Sequence, residues 1–244
     1  ERRAATAQVK RDVLSVEIDK HIVERDYQTD CIDALCREIQ AGRRKLLVEM
    51  ATGTGKTRTA AAFIKRLFEA GAITRVLFLV DRIPLAKQTE DAFAEHLSDF
   101  PAYVLRAGRR FQDEKRITIT TLQSMVNIYR DYSSGYFDLL ISDECHRSIY
   151  GKWSGVLRHF DGIQIGLTAT PCVAKLDDVS ADDEDELFVR DTLRFFEVDR
   201  PTFSYKLKDA IADGYLVPYQ IYKAKTVKTA AEGGFEVRRD ELDW

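Results

Sequence analysis

The chain has 244 residues, of which 45% are hydrophobic and 32% are charged, and its formal net charge is −3. This balance is typical of a globular protein that folds in water. No stretch approaches the ~18 consecutive apolar residues that cross a bilayer, so a membrane protein is excluded. The four cysteines form no CxxC pair, and we expect them to be reduced thiols in a cytoplasmic protein.

The charge is unevenly distributed along the sequence. Residues 176–188 contain seven acidic side chains and neither Lys nor Arg. We expect this run to be a solvated loop, with a regulatory acidic strip as the alternative. Removing those seven charges changes the net charge from −3 to +4, so the remaining chain can accept a polyanion partner but does not require one.

Amphipathic helices and short apolar runs alternate along most of the chain. Helical spacing and terminal glycines or prolines predict helices over 27–42, 56–71, 84–97 and 204–214. Apolar runs predict strands at 45–50, 75–80, 116–121, 137–142 and 163–168. Because strands that alternate with helices form a parallel sheet covered on both faces, the pattern predicts a doubly wound α/β domain of the nucleotide-binding kind.

The same pattern divides the chain into three parts. Residues 1–24 are charged and weakly patterned, and we expect them to be a connector from an upstream domain. Residues 25–214 carry the alternating helices and strands. An extended segment then begins for which this domain has no place, so we expect residues 215–244 to start a truncated second domain.

The segment ATGTGKT at 51–57 leads from a predicted strand into a predicted helix. This is the setting of a phosphate-binding loop, although Met50 occupies the first glycine position of the usual pattern. Glycines allow a tight turn with inward N–H groups, the lysine reaches the β- and γ-phosphates, and the threonine hydroxyl ligates Mg²⁺. The predicted nucleotide contacts in this loop are Gly53, Thr54, Gly55, Lys56 and Thr57.

The string ISDECHRS at 141–148 places two adjacent carboxylates after an apolar strand. Asp143 would hold Mg²⁺ and Glu144 would accept a proton from the attacking water, and Lys56 completes the predicted catalytic set. An acid at this point also suits a helix N-cap, which is the alternative interpretation. A switch GTPase is excluded because the sole asparagine, Asn127, lies outside any NKxD motif, so the combination favours an ATPase.

Two further strings carry groups suited to this chemistry. Gln28 lies upstream of the loop in RDYQTD, and its amide offers a donor and an acceptor, as the edge of adenine does. Thr168 and Thr170 in GLTATP offer hydroxyls that could bond His146 and report the state of the γ-phosphate. A surface glutamine and ordinary strand-end threonines are the alternatives.

The strings YQ, ATGTGKT, FLVDRIPLAKQ, TITTLQSM, DECH and TAT occur in the order of superfamily 2 helicase motifs and cover residues 25–171. Within that superfamily, MATGTGKT, LVDRIPLAKQ, LLISDECHRSIYGKW and DGYLVPY most resemble the restriction (R) subunit of type I restriction–modification enzymes. Type III restriction subunits come second. The resemblance implies the RecA-like fold of P-loop NTPases, with this chain carrying the first motor domain and a stub of the second.

The resemblance also implies an activity and its partners. The motor would consume ATP with Mg²⁺, translocate on double-stranded DNA, and join methyltransferase (M) and specificity (S) subunits of an endonuclease. Gln28 would read adenine, and His146, Thr168 and Thr170 would couple hydrolysis to movement. DNA contacts from loops at the strand ends would fix position without reading sequence. Those candidate DNA contacts are Arg82, Lys87, Gln88, Thr120, Thr121 and Gln123.

The chain departs from the R-subunit pattern in two respects. Residues 113–115 (Asp-Glu-Lys) match a nuclease triplet but lie in a polar stretch, so we expect the nuclease upstream. The second motor domain would supply an arginine finger worth ~10³–10⁵ in rate, so we expect this chain alone to bind ATP weakly and to hydrolyse it poorly. The remaining alternatives are another superfamily 2 helicase, acting in DNA repair or on RNA, and an ATP-gated assembly scaffold without turnover.

Overall fold

The computed structural model describes residues 12–106, 112, 114–147, 151–172 and 191–218. The acidic run at 176–188 and residues 219–244 lie outside the described residues. What the sequence predicts for those two segments therefore stays a prediction.

In the part of the chain that the structure describes, seven parallel strands form the centre of the domain. They are β1 (Lys45–Met50), β2 (Val76–Val80), β3 (Ala102–Val104), β4 (Ile117–Thr121), β5 (Leu139–Ser142), β6 (Ile163–Thr168) and β7 (Phe203–Tyr205). Their order across the sheet is β3-β4-β2-β5-β6-β1-β7, and neighbouring strands are parallel. The predicted doubly wound α/β fold is confirmed.

Helices follow most of the strands. They are α1 (Asp26–Gln40), α2 (Lys56–Glu69), α3 (Ile83–His96), α4 (Leu122–Met125), α5 (Gly151–His159), α6 (Thr192–Phe195) and α7 (Leu207–Ala212). Among the residues that the structure describes, these include no helix long and apolar enough to cross a membrane.

The central strands are buried on both faces because helices cover each side of the sheet. In β2 every residue is buried. Val76, Phe78 and Val80 belong to one hydrophobic cluster, whereas Leu77 and Leu79 belong to another. Successive side chains of a strand point to opposite faces, so the two clusters are the two cores that sandwich the sheet.

Residues 12–24 pack against the domain rather than standing apart from it. Val13 and Val23 are buried in the larger core. The Arg66 side chain on α2 is only 5% exposed and lies 2.6 Å from Asp33. It also donates hydrogen bonds to the backbone carbonyls of Leu14 and Val16. The segment predicted as a connector is therefore part of the packed structure from residue 12 onward, while the upstream domain remains a prediction.

The carboxyl-terminal end of the described chain differs from the prediction. Ser204 and Tyr205, placed by the sequence in a helix over 204–214, belong to β7, and α7 begins only at Leu207. Tyr205 is in register with Met50 of β1, so pairing along the sheet edge decides the conformation of these residues. The three-residue strands β3 and β7 were not predicted, because so short a run carries no readable period.

The strand order determines which loops can meet. β6 lies between β5 and β1, so the loops that follow these three strands leave the same edge of the sheet side by side. Ligands of open parallel sheets bind at this carboxyl edge.

Candidate functional site

The phosphate-binding loop connects β1 to α2. Gly53 and Gly55 have φ angles of +85° and +84°, in the left-handed region that glycine adopts without strain. A Cβ atom placed on Gly55 would lie 2.7 Å from Nε2 of Gln28, so a side chain has no room there. Both positions therefore favour glycine for its backbone conformation, and Gly55 also because a side chain would clash with Gln28.

Thr54, between the two glycines, faces the protein interior. Its side chain is buried, and its hydroxyl donates to the carbonyl of Ala51 at 2.6 Å. Of the predicted contacts in this loop, Thr54 can therefore reach a ligand with its backbone but not with its hydroxyl.

The loop ends at the first turn of α2. Gly55 is the N-cap residue and offers no side chain to its helix. The N–H groups of the first turn, including those of Lys56 and Thr57, lack partners within the helix and carry its positive dipole end. This arrangement suits a bound phosphate.

Lys56 links the loop to the acidic segment after β5. Its side chain is only 10% exposed, and its Nζ lies 3.6 Å from Oε1 of Glu144. The same ammonium donates to the carbonyl of Met50 at 3.2 Å. The structure thus brings two of the three predicted catalytic residues into contact across the edge of the sheet.

Asp143 is the third member of that set. Its backbone N–H donates to the carbonyl of Leu79, which continues the ladder between β5 and β2. Burial and then the neighbouring charge of Glu144 raise the pKa of the Asp143 carboxyl to about 6, although Lys56 and the Glu144 N–H oppose the rise. Glu144 has a φ of +49°, a strained conformation for a residue with a side chain, which lets the chain turn at this point.

His146 joins the acidic segment to β6. Its Nδ1 and the hydroxyl oxygen of Thr168 are hydrogen-bonded at 2.9 Å. The same nitrogen lies 3.5 Å from Oε2 of Glu144. Thr168 also accepts a hydrogen bond from the backbone N–H of Thr170, whose own side chain is exposed. The three predicted coupling residues therefore lie together, with Thr170 taking part through its backbone.

Gln28 is buried against the phosphate loop. Its Nε2 donates to the carbonyl of Thr54 at 3.4 Å. A surface glutamine, the alternative given from the sequence, is therefore wrong: burial of Gln28 follows from its place on the inner side of α1.

The predicted DNA contacts separate into two groups. Thr120 is fully buried, and its hydroxyl donates to the carbonyl of Leu105. The prediction that the Thr120 side chain contacts DNA is therefore wrong. Thr121 is also buried, and its hydroxyl caps α4 by accepting from the N–H of Ser124. The side chains of the other four candidates are exposed: Arg82, Lys87, Gln88 and Gln123.

Sequence reasoning missed Arg25 and Tyr27 at the start of α1. The Tyr27 hydroxyl donates to the carbonyl of Thr54 at 2.8 Å and receives a hydrogen bond from Arg25, also at 2.8 Å. Tyr27 directly precedes Gln28 and Arg25 lies three positions before it, but no known spacing links them to a loop so far along the chain. The YQ string was the one available signal.

The chain has relatives among restriction enzymes. A family profile described as type III restriction enzyme, res subunit, matches residues 21–173. The EcoAI endonuclease subunit of an Escherichia coli type I restriction enzyme is 32% identical over 213 residues, which cover 82% of this chain and 24% of that protein. The EcoKI subunit from Escherichia coli strain K12 is 28% identical over 254 residues, covering 90% of this chain and 20% of that protein. The chain thus spans a quarter or less of these curated relatives.

A solved structure agrees with these similarities. A fragment assigned to the HsdR subunit of a type I restriction enzyme from Vibrio vulnificus YJ016 has a TM-score of 0.61 and 27% identity, covering 84% of this chain and 34% of that one. The superfamily 2 resemblance seen in the motifs is confirmed. The chain therefore belongs to the family described as the res subunit of type III restriction enzymes, as a helicase-like motor domain similar to the endonuclease subunits of type I restriction enzymes.

Proposed function

We propose that this chain is the ATP-binding first motor domain of a double-stranded DNA translocase in a type I restriction endonuclease. The observation that carries the proposal is the 3.6 Å contact between Lys56 and Glu144. A cation suited to phosphate and a carboxylate suited to accept a proton from water thus lie at one point. Similarity to type I subunits favours that assignment, and the description of the family makes a type III subunit the second candidate.

ATP would lie over the loop with its phosphates at the first turn of α2. The N–H groups from Gly53 to Thr57 would surround the β-phosphate, and Lys56 would extend to the γ-phosphate. Gln28 uses one N–H on Thr54, which leaves a second N–H and a carbonyl oxygen for the edge of adenine.

Asp143 and Thr57 would hold Mg²⁺. Magnesium keeps several waters and binds through one or two protein oxygens together with phosphates, so this small set suits it. Within the described ranges, no group of three or more His, Cys, Asp or Glu side chains could hold a metal ion by itself. Asp143 and Glu144 carry adjacent carboxyls. A divalent cation would stabilise the ionised forms of this pair. When bound, the ion neutralises charge on the phosphates.

Glu144 is the proposed general base. Its two carboxylate oxygens lie 3.6 Å from the Lys56 ammonium and 3.5 Å from Nδ1 of His146, and these contacts orient the carboxylate. Having accepted a proton from water, Glu144 would lose attraction for both partners. His146 is hydrogen-bonded to Thr168 on β6, so a shift of His146 would be transmitted to that strand. This is our proposed route from hydrolysis to movement.

Contacts to DNA would come from the exposed candidates Arg82, Lys87, Gln88 and Gln123. Lys87 is already paired with Glu90 and Asp91, so a DNA phosphate would have to compete with two carboxylates. The N-terminus of α3, next to Arg82, offers N–H groups that suit a phosphate without reading bases. We propose M and S subunits as the other partners, by similarity to type I enzymes.

The proposed domain organisation follows from the same similarity. Residues 25–214 would form the first motor domain, residues 215–244 would begin the second, and an upstream nuclease domain would precede residues 1–24. Without an arginine finger from the second domain, this chain alone would bind ATP and hydrolyse it slowly.

ATP hydrolysis by the full-length protein tests the proposal. Double-stranded DNA should stimulate turnover more than single-stranded DNA or RNA does. Stronger stimulation by RNA would assign the motor to another group of superfamily 2 helicases. Tight nucleotide binding with no product in a single-turnover experiment would support the ATP-gated scaffold instead.

A further inference from the structure

Tyr27 connects the start of α1 to the phosphate loop through a buried hydrogen bond. Its hydroxyl donates to the carbonyl of Thr54 at 2.8 Å, and Arg25 donates to the same hydroxyl at 2.8 Å. Thr54 lies between the two glycines of the loop, so this bond holds the peptide at the centre of the turn. The roles proposed above do not use either residue.

The Tyr27 ring is in turn packed against the end of the domain. It stacks on Tyr205 of β7 with ring centroids 3.9 Å apart and an angle of 12° between the planes. It meets the ring of Tyr215 edge-on at 5.3 Å. The Arg25 guanidinium lies 4.8 Å from the centroid of the Tyr215 ring, which is a cation–π contact.

The next residue along the chain, Leu216, touches the loop directly. A Cβ atom placed on Gly53 would lie 3.3 Å from Cδ2 of Leu216, so this methyl group covers the glycine. The backbone N–H groups of Tyr215 and Leu216 both donate to the carbonyl of Ala210 in α7. Tyr215 and Leu216 are thus held by α7 on one side, and Leu216 contacts the phosphate loop on the other.

We propose that Tyr27 is a positioning residue for the phosphate loop, and that Tyr27 and Leu216 together link nucleotide occupancy of the loop to the conformation of residues 215–218. The inference rests on the proposed function, since it requires that the loop binds a nucleotide. A ligand that fixes the loop also fixes the Thr54 carbonyl and the glycine under Leu216. Ordering of the loop is therefore transmitted to this segment directly, through Leu216 on Gly53, and indirectly, through the Tyr27 ring that contacts Tyr215.

Tyr27→Phe in the full-length protein tests the first half of the inference. The variant keeps the stacked ring and loses only the hydroxyl. Loss of one buried hydrogen bond predicts a rise of about 3- to 10-fold in the Kd of a fluorescent, non-hydrolysable ATP analogue with Mg²⁺. Tyr103→Phe is the matched control, because it removes a buried tyrosine hydroxyl that lies 3.3 Å from Thr118 Oγ1 at the opposite edge of the sheet.

Hydrogen exchange of the peptide that covers residues 213–218 tests the second half. Saturating analogue should slow exchange there in the parent protein and in Tyr103→Phe. The slowing should be lost in Leu216→Ala, which removes the methyl groups over Gly53, and reduced in Tyr27→Phe at saturation. Melting temperatures measured alongside report whether either variant is merely unfolded.

The outcomes separate the inference from the proposed function. A parent-like Kd for Tyr27→Phe, an equal rise in Tyr103→Phe, or unchanged protection in Leu216→Ala would each overturn the inference and leave nucleotide binding standing. If the parent protein binds no nucleotide, the proposed function and the inference fall together.

Discussion

The ammonium of Lys56 lies 3.6 Å from the carboxylate of Glu144, and both side chains are largely buried where the loops after β1 and β5 meet. The two residues belong to different loops and are brought together because β6 alone separates their strands. A phosphate bound by the Lys56 ammonium would therefore lie next to the Glu144 carboxylate. Each residue can therefore be tested for a separate role.

Lys56→Met should abolish most of the affinity for nucleotide. The substitution keeps the length of the side chain and removes the charge, so a charge-assisted contact to phosphate is lost. Such contacts contribute about 1.5–3 kcal/mol, which predicts a rise of roughly 10- to 100-fold in the Kd of an ATP analogue. Lys65→Met is the control, since Lys65 lies on the same helix but pairs with Asp19. Similar losses in both variants would show a general effect on α2 rather than a contact with phosphate.

Glu144→Gln should separate binding from turnover. The amide cannot accept a proton from water, whereas Asp143 and Lys56 remain in place. A lost general base predicts a decrease of about 10²- to 10⁴-fold in the rate of DNA-stimulated hydrolysis, with nucleotide Kd nearly unchanged. Glu38→Gln, which removes a carboxylate from a surface pair with Arg43, should leave both quantities as in the parent. Equal loss of binding and turnover in Glu144→Gln would show that Glu144 has a structural role and is not the general base.

The pKa of Asp143 predicts how the stability of the metal-free protein depends on pH. The folded carboxyl titrates at about 6, above its ordinary value of 3.8. Between these values the folded state binds more protons than the unfolded state, so ionisation of Asp143 costs stability as pH rises through 6. Asp143→Asn, measured in EDTA, should raise the free energy of unfolding at pH 7.5 by about 1–3 kcal/mol.

The size of that difference must change with pH in a defined way. The gain in Asp143→Asn should shrink as pH falls from 6 towards 3.8 and should vanish well below pH 3.8, where the parent carboxyl is protonated in both states. Urea denaturation of parent and variant across this range gives the comparison directly. A variant that is less stable at pH 7.5, or a gain independent of pH, would contradict the burial and charge assigned to Asp143.

Local sequence signals predicted most of the fold and the chemical groups of the site. Apolar runs marked β1, β5 and β6. Lys56 and Glu144 follow β1 and β5, and Thr168 ends β6. Strand order, which sets the contacts between those strings, depends on packing between distant segments and left no local signal. The same holds for β7, whose Tyr205 pairs with Met50 and stacks on Tyr27. Burial of Thr120 was also missed, because alternating threonines in TITT do not reveal that both faces of β4 are covered.

Gly166 of β6 packs against Cys145 of the acidic segment, and Gly166→Ala should destabilise the domain. A Cβ atom there would lie 2.5 Å from Cζ of Phe196 and 2.7 Å from Sγ of Cys145, closer than packed atoms tolerate. Because Cys145 lies between Glu144 and His146, relief of the clash would also displace the acidic segment. Overpacking of this kind costs about 1–3 kcal/mol, which thermal or urea unfolding can measure. Gly135→Ala is the matched control, since nothing lies within 4 Å of an added Cβ and its φ is not in the left-handed region. Unchanged stability in Gly166→Ala would mean that Phe196 or the DECH segment moves at little cost, which would contradict the tight packing inferred around Gly166.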